Sequence, residues 1–500
     1  MRSIKTGLSA FLLLTFLSVS AFAATFTVTK TADTNDGTCD ADCSLREAVA
    51  AANAAGSDDS IVFSSLFDSP QVITLSGTEI VINNAGALTI TGPGANLLTV
   101  SGNNTSRIFQ NTVGAVTSMS GMTLTGGNGV STFNNNSGGA IQNSGTMTLT
   151  AMIITGNTTS GSAGGIRNSS TGSQLTINGC IISNNTSTGS SAGGVQNFST
   201  STLIVNNSTF TGNLSGGGSV GGGAMQVNGT ARITNSTFSG NTSNTTGGGG
   251  ALNVNGSSIV ITNVTISGNT SPNNGGGIHR GSTNVNFFIR NSIVAGNNGT
   301  AASPDVTNST GGLQSEGNNI IGNVGTSTGW VASDLQNTAP VLGPLADNGG
   351  FGQTFLPQAG SPAIDAGQNC VRDLTCSANN PPAAVTEDQR GVSRTTNGNV
   401  DIGSVEVASA VPVSVGGRVF SSVGVALPLA LVSVTDGNGT RYFFTNSFGY
   451  YSFEGLTAGT EYTVSVSSKA ASFTPQVVTP ANDISDLDFL PAMMLKADEK

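Results

Sequence analysis

The chain has 500 residues and a formal net charge of −10, and 69 glycines accompany only 9% charged and 5% aromatic residues. An acidic chain with no basic cluster is not expected to bind nucleic acid, where lysine and arginine must neutralise phosphates. One histidine, His279, excludes a two-histidine zinc site, and the length leaves room for more than one domain.

Met1, Arg2 and Lys5 precede an apolar run from Leu8 to Val19, and Ala21-Phe22-Ala23 has the A-x-A form of a cleavage site. These features predict a cleavable secretory leader over 1–23, with the mature chain exported to an oxidising compartment or out of the cell. No later run reaches the roughly 18 apolar residues needed to cross a bilayer, so no transmembrane segment is expected after cleavage.

Residues 24–79 read as an N-terminal cap. Ser44 and Glu47 have the spacing of a capping box, and Ala48 to Ala55 favours helix, which predicts a short helix over 44–54. Cys39 and Cys43 lie close together, as do Cys370 and Cys376, so each pair is expected to form a local disulfide in an exported chain. Asp33, Asn35, Asp36, Asp40 and Asp42 are oxygen donors of a type that suits calcium. Without a glutamate at the twelfth position the stretch reads as a turn-rich loop, so no metal or cofactor is expected.

Residues 80–303 carry a repeat. Asn157, Asn185, Asn213, Asn241, Asn269 and Asn297 are each 28 residues apart, and Ile154, Ile182, Phe210, Phe238, Ile266 and Val294 keep the same beat three positions earlier. Each repeat holds three short extended runs, as in Leu252-Asn253-Val254, Ile259-Val260-Ile261 and Val264-Thr265-Ile266, separated by Gly, Asn, Ser and Thr. No helical period is present, so the pattern predicts an all-β fold built on a right-handed parallel β-helix with three strands per coil. Coils about 4.8 Å apart give a rod of roughly 40 Å, with the apolar column inside and the asparagines stacked as an amide ladder. Cys180 falls on the same beat and is expected to be a small buried residue.

Residues 304–407 change composition and are expected to form a loop-rich lid over the open rod end. A linker is predicted over 408–415. Over 416–495, alternating runs such as Ala430 to Val434, Tyr450 to Phe453 and Tyr462 to Val466 predict an antiparallel β-sandwich that contains all four tyrosines.

Four stretches also resemble known families. Cys43-Ser44-Leu45-Arg46-Glu47-Ala48, with Asp58 to Phe63 downstream, resembles the CSLREA-motif proteins, secreted bacterial proteins that carry this hexapeptide before a β-helix. Gly222-Gly223-Ala224-Met225 and Phe210-Thr211-Gly212-Asn213 are similar to the repeats of polymorphic outer-membrane proteins. Gly360 to Gly367, Asp388-Gln389-Arg390-Gly391 and Asp401-Ile402-Gly403 resemble a choice-of-anchor region, and the C-terminal segment resembles carboxypeptidase-regulatory-like (prealbumin-like, Cna-B-type) domains. These resemblances imply a pectate-lyase-like superhelix at a cell surface or secreted, without a defined activity.

The fold is shared with polysaccharide lyases and glycosidases, so residues for chemistry must be sought. Between Ile80 and Pro304 there is no Asp, Glu or Lys, only Arg107, Arg167, Arg232, Arg280 and Arg290. The paired carboxylates of a glycosidase cannot be built there. His279 takes the slot after an apolar residue that Gln142, Arg167, Gln196, Gln226 and Asn253 fill in earlier coils, and is expected to face outward as a polar residue without a catalytic role. The expectation is a non-catalytic structural or adhesin-like protein whose partner is a surface glycan or protein. The rival readings are a polysaccharide-processing enzyme using Asp305, Glu316 or Asp334 between rod and lid, and a glycan binder using the sandwich tyrosines.

Overall fold

The computed structural model describes residues 23–491, apart from breaks at 133–135, 190, 257, 282–285, 309–312, 395–397, 408–411, 437–438, 459, 470 and 481. The leader expected over 1–23 lies outside the described residues except for its last position. The chain divides into two compact units, Met1–Val407 and Ala408–Lys500.

The first unit is a parallel β-solenoid. One coil runs through Ile141–Asn143, Thr146–Thr150 and Ile153–Thr155, and each strand pairs in parallel with its counterpart in the next coil. Thr146–Thr150 belongs to an 11-stranded sheet A, Ile153–Thr155 to an 11-stranded sheet B, and Ile141–Asn143 to a 9-stranded sheet C, which together make about nine coils. Two-residue strands such as Thr158–Thr159 and Thr186–Ser187 add a further 4-stranded sheet that is too short to show as a sequence pattern.

Alternation decides what is inside. In Gln174–Asn178, Leu175 and Ile177 are buried while Gln174 stands in solvent. Ile154, Ile182, Phe210, Phe238, Ile266 and Val294 form one wholly buried column, in which the rings of Phe210 and Phe238 stack with centroids 4.8 Å apart. Burying each such side chain is worth roughly 1.5–3 kcal/mol, and the register repeats that gain coil after coil.

Parallel pairing runs beyond the periodic stretch at both ends. Thr25–Val28, Asp59–Phe63 and Gln71–Thr74, within the expected cap, already belong to sheets A and B. Val306–Asn308, Gln314–Gly317, Ile320–Ile321 and Leu335–Gln336, within the expected lid, are still strands of the solenoid. Backbone pairing tolerates sequence that has lost the 28-residue beat.

A helix, α1 (Leu45–Ala55), packs on the first coils and buries Leu45, Ala48, Val49 and Ala52. Ser44 is its N-cap and the capping box is complete: Glu47 N donates to Ser44 Oγ, and Ser44 N donates to Glu47 Oε2 at 2.7 Å. Gly56, in the left-handed conformation, ends it. Arg46 reaches back with Nε and Nη2 to the two carboxylate oxygens of Asp33, both at 2.8 Å, and donates to the carbonyls of Thr78 and Glu79. Ser44 to Ala48 of the hexapeptide thus hold the cap in place by capping, burial and ion pairing, and Cys43 does so through a disulfide to Cys39.

The expected lid corrects in position. Leu313, Val324 and Trp330 do close the end of the core, but most of the segment after Leu342 does not sit over that end. It forms a strap that returns along the rod's flank. Gln353 O accepts from Thr209 Oγ1, Glu387 O from Asn235 Nδ2, Asp401 O from Asn263 Nδ2, and Gln368 O from Asn291 Nδ2. Asn235, Asn263 and Asn291, which make three of these bonds, all have left-handed backbone at the turn between sheets A and B.

The second unit is an antiparallel β-sandwich. Pro412–Arg418 pairs with Tyr450–Thr457, and the other sheet has the order Gly439–Phe444, Leu431–Asp436, Tyr462–Ser467, Gln476–Val478. Val415, Val432, Phe453, Val464 and Phe489 fill its core. The chain expected as linker up to Val415 thus enters a sheet at Pro412.

Candidate functional site

The periodic asparagines form a continuous buried ladder. Asn157 Nδ2 donates to Asn185 Oδ1 at 2.9 Å, and the same bond recurs from Asn185 to Asn213, Asn241, Asn269 and Asn297 at 2.9–3.0 Å. Each receiving oxygen also takes the backbone N–H of the preceding ladder residue, and each Nδ2 also donates to a carbonyl of the coil before, such as Ile154 O. From Asn185 onward each amide therefore donates to the next rung and to a carbonyl of the coil before and accepts two hydrogen bonds, which is what a buried polar side chain requires.

Such a ladder has a direction, and its last member needs a partner that only accepts. Asp305 is that partner: its Oδ1 takes Asn297 N and Nδ2, both at 2.9 Å, and its Oδ2 takes Asn323 N at 2.7 Å. Burial raises the carboxyl pKa, against the pull of these bonds. Asp334 does the same for a neighbouring column of small residues. Cys180 N, Ser208 N and Val264 N donate to Ser208, Ser236 and Ser292 hydroxyls, Ser292 N donates to Asn319 Oδ1, and Asn319 donates to Asp334 Oδ1. Glu316, the third acid, is ion-paired with Arg290 and accepts from Asn379 Nδ2 at 2.6 Å. Two of the three rod-end carboxylates thus finish polar columns and the third holds the strap.

A second amide ladder, Asn111 to Asn143 to Asn168 to Asn197, lies in sheet C with side-chain bonds of 2.7–2.8 Å. Its members are 32, 25 and 29 residues apart, so no fixed beat reveals it.

His279 corrects an expectation. It pairs in register with Asn253, in the outward slot of sheet C, yet it is buried, as are Gln110, Gln142, Gln196, Gln226 and Asn253. Glycine-rich loops lie flat on this face. At Gly249 a Cβ would come within 2.1 Å of Leu252 O and 2.6 Å of His279 N, so only glycine lets the backbone approach this closely. Burial pushes the imidazole pKa down to about 4, and Nδ1 has no hydrogen-bond partner among the described residues. The ring is thus neutral at ordinary pH.

Both expected disulfides are formed, Cys39–Cys43 and Cys370–Cys376, and Cys180 is a buried free thiol. In the acidic N-terminal loop Asp33 is bound to Arg46 and Ser76, Asp42 to Lys30, and Asn35, Asp36 and Asp40 accept from backbone N–H groups two residues on. These are turn and ion-pair roles.

A cleft of about 300 Å³ opens where Pro382 to Glu387 of the strap stands off Asn178, Asn206, Asn207, Thr234 and Asn235. Glu387 is the only carboxylate of its lining, so it lacks the acid pair of a glycosidase. In the second unit the tyrosines divide by face. Tyr451 and Tyr462 are buried, their hydroxyls bonded to Leu487 O and Thr457 N, whereas Tyr442 and Tyr450 are exposed.

The architecture defines a two-unit protein, a capped parallel β-solenoid followed by an antiparallel sandwich. Residues 414–490 match the family of carboxypeptidase regulatory-like domains. No curated protein matches the chain. Among the described residues no helix is long and apolar enough to cross a membrane.

Proposed function

We propose that the chain is a non-catalytic structural protein, exported by its leader, that acts at or beyond a cell surface in adhesin-like fashion. The solenoid is the stalk, and the sandwich is the module it carries. One observation carries this reading: the stretch from Ile80 to Pro304 has no Asp, Glu or Lys, and the three acids next after it, Asp305, Glu316 and Asp334, are taken up in ladder ends and an ion pair. The hexapeptide at Cys43–Ala48, the glycine-rich repeats and the motifs between Gly360 and Gly403 support placing the chain among CSLREA-motif β-helix proteins with a choice-of-anchor segment. Fractionation of the producing cells tests this: a cell-associated pool is expected, and protein found only in the medium refutes a surface role. The rival enzyme reading predicts turnover of an acidic or neutral polysaccharide that disappears when Asp305, Glu316 and Asp334 are replaced together.

A further inference from the structure

We propose that the outer face of the sandwich's four-stranded sheet is a docking platform for a neutral polysaccharide, with Tyr442 and Phe444 as its stacking residues. This rests on the stalk reading above and names a partner class for its module.

Val432, Val434 and Val464 are buried in the sandwich core, so alternation turns their strand neighbours outward. Leu431 stands opposite Phe444 on one side and Ser467 on the other, and Ser433 stands opposite Tyr442 and Ser465. A third row is made of threonines, from Thr440 through Thr435 to Thr463. Tyr442 and Phe444 are 66% and 61% exposed, on one strand and one face, about 6.8 Å apart along it. Leaving two large rings in water forgoes the burial that Tyr451 and Tyr462 receive in the same domain.

The three rows contain no charged side chain. A neutral sugar polymer offers C–H faces to the rings and hydroxyls to Ser433, Ser465 and Ser467, and neither side buries a charge on contact. An acidic polysaccharide needs cations here, but the strand's own Arg441 belongs to the opposite face, where its guanidinium lies 6.0 Å from the Phe453 ring centroid. A protein partner favours an apolar centre with a polar rim. Here the apolar residues lie at the margins, Tyr442 and Phe444 on one edge strand and Val477 on the other, and small hydroxyls fill the centre.

The test is retention of the full mature chain on insoluble cellulose, chitin and α-glucan, with pectate as the acidic control. Retention on at least one neutral polymer is expected. The double variant Tyr442→Ala, Phe444→Ala should bind it at least tenfold more weakly with an unchanged thermal midpoint, because both side chains are exposed, and Arg441→Ala should bind normally. No retention on any neutral polymer overturns the proposal, as does retention that the double variant keeps. A dimer in light scattering that the double variant dissolves also overturns it, because the face then serves a second copy. A surface-located protein that fails retention leaves the stalk reading standing, whereas retention by a protein found only in the medium refutes the surface role and keeps this inference.

Discussion

Replacing Asn213 with aspartate tests whether the ladder has a direction. Asn213 is fully buried; its Nδ2 donates to Asn241 Oδ1 at 2.9 Å and Ile182 O at 2.8 Å, and its Oδ1 accepts from Asn185 N and Nδ2 at 3.1 and 3.0 Å. Asn213→Asp keeps both accepted bonds and loses both donated ones. It also sets a carboxylate oxygen against two acceptors in a dry interior. Two lost bonds at about 1 kcal/mol each, with the added cost of an unpaired buried charge, give a loss of about 3–5 kcal/mol. At the ladder's end the preference reverses. Asp305→Asn should cost about 1–3 kcal/mol because an amide cannot accept from both Asn297 and Asn323. The assay is urea unfolding followed by Trp330, the single tryptophan, which packs on the solenoid core and so reports on the first unit. The Asn213→Asp penalty should shrink in acid. The introduced carboxyl would have a raised folded pKa, so the stability it permits is present below about pH 4 and lost as pH rises. An unchanged midpoint for Asn213→Asp at pH 7 refutes a directional ladder.

Three further outcomes are expected. Ala151 has left-handed backbone (φ 50°) where later coils place Gly179, Asn207 and Asn235, so Ala151→Asn should stabilise the first unit by about 1 kcal/mol in the same titration; a loss refutes this. Burial pushes the Cys180 thiol up to about 12, so a thiol reagent at pH 8 should find no reactive group until urea unfolds the chain, and rapid labelling of native protein contradicts the assignment. Burial, reinforced by Glu406, pushes Asp401 up to about 7, against bonds from Val407 and Asp365. Its folded pKa lies above the unfolded value near 3.9, so the stability it confers is full below about pH 4 and lost as pH rises through 7. The thermal midpoint of the first unit should therefore fall from pH 5 to pH 8, and a flat or rising profile counts against the strap's buried acids as the cause.

What could be read from the sequence was what repeats. The beat from Asn157 to Asn297 gave the ladder, the interior column and the solenoid because equivalent coils have equal lengths there. The Asn111–Asn197 ladder escaped because loops of unequal length separate rungs that space brings together. His279 was read from strand alternation alone, which is blind to a glycine-rich loop lying over the strand. Asp305 and Asp334 looked like candidate acids because their residue type suits both roles, and only their partners show them ending polar columns. The strap's bonds to Thr209, Asn235, Asn263 and Asn291 join residues 77 to 180 positions apart, such as Asn291 with Gln368 and Thr209 with Gln389, a separation at which local patterns carry no information. The tyrosines could be counted but not divided by face, because Tyr450 and Tyr451 are neighbours with opposite fates.

The strap also acts as a ruler. A stack of coils that touch only their neighbours can gain or lose a coil at low cost, since each interface resembles the next. The return segment bonds to Thr209, Asn235, Asn263 and Asn291 at successive coils. One coil inserted among them would shift every later attachment by about 4.8 Å. The strap thus fixes the number of coils between Thr209 and Asn291.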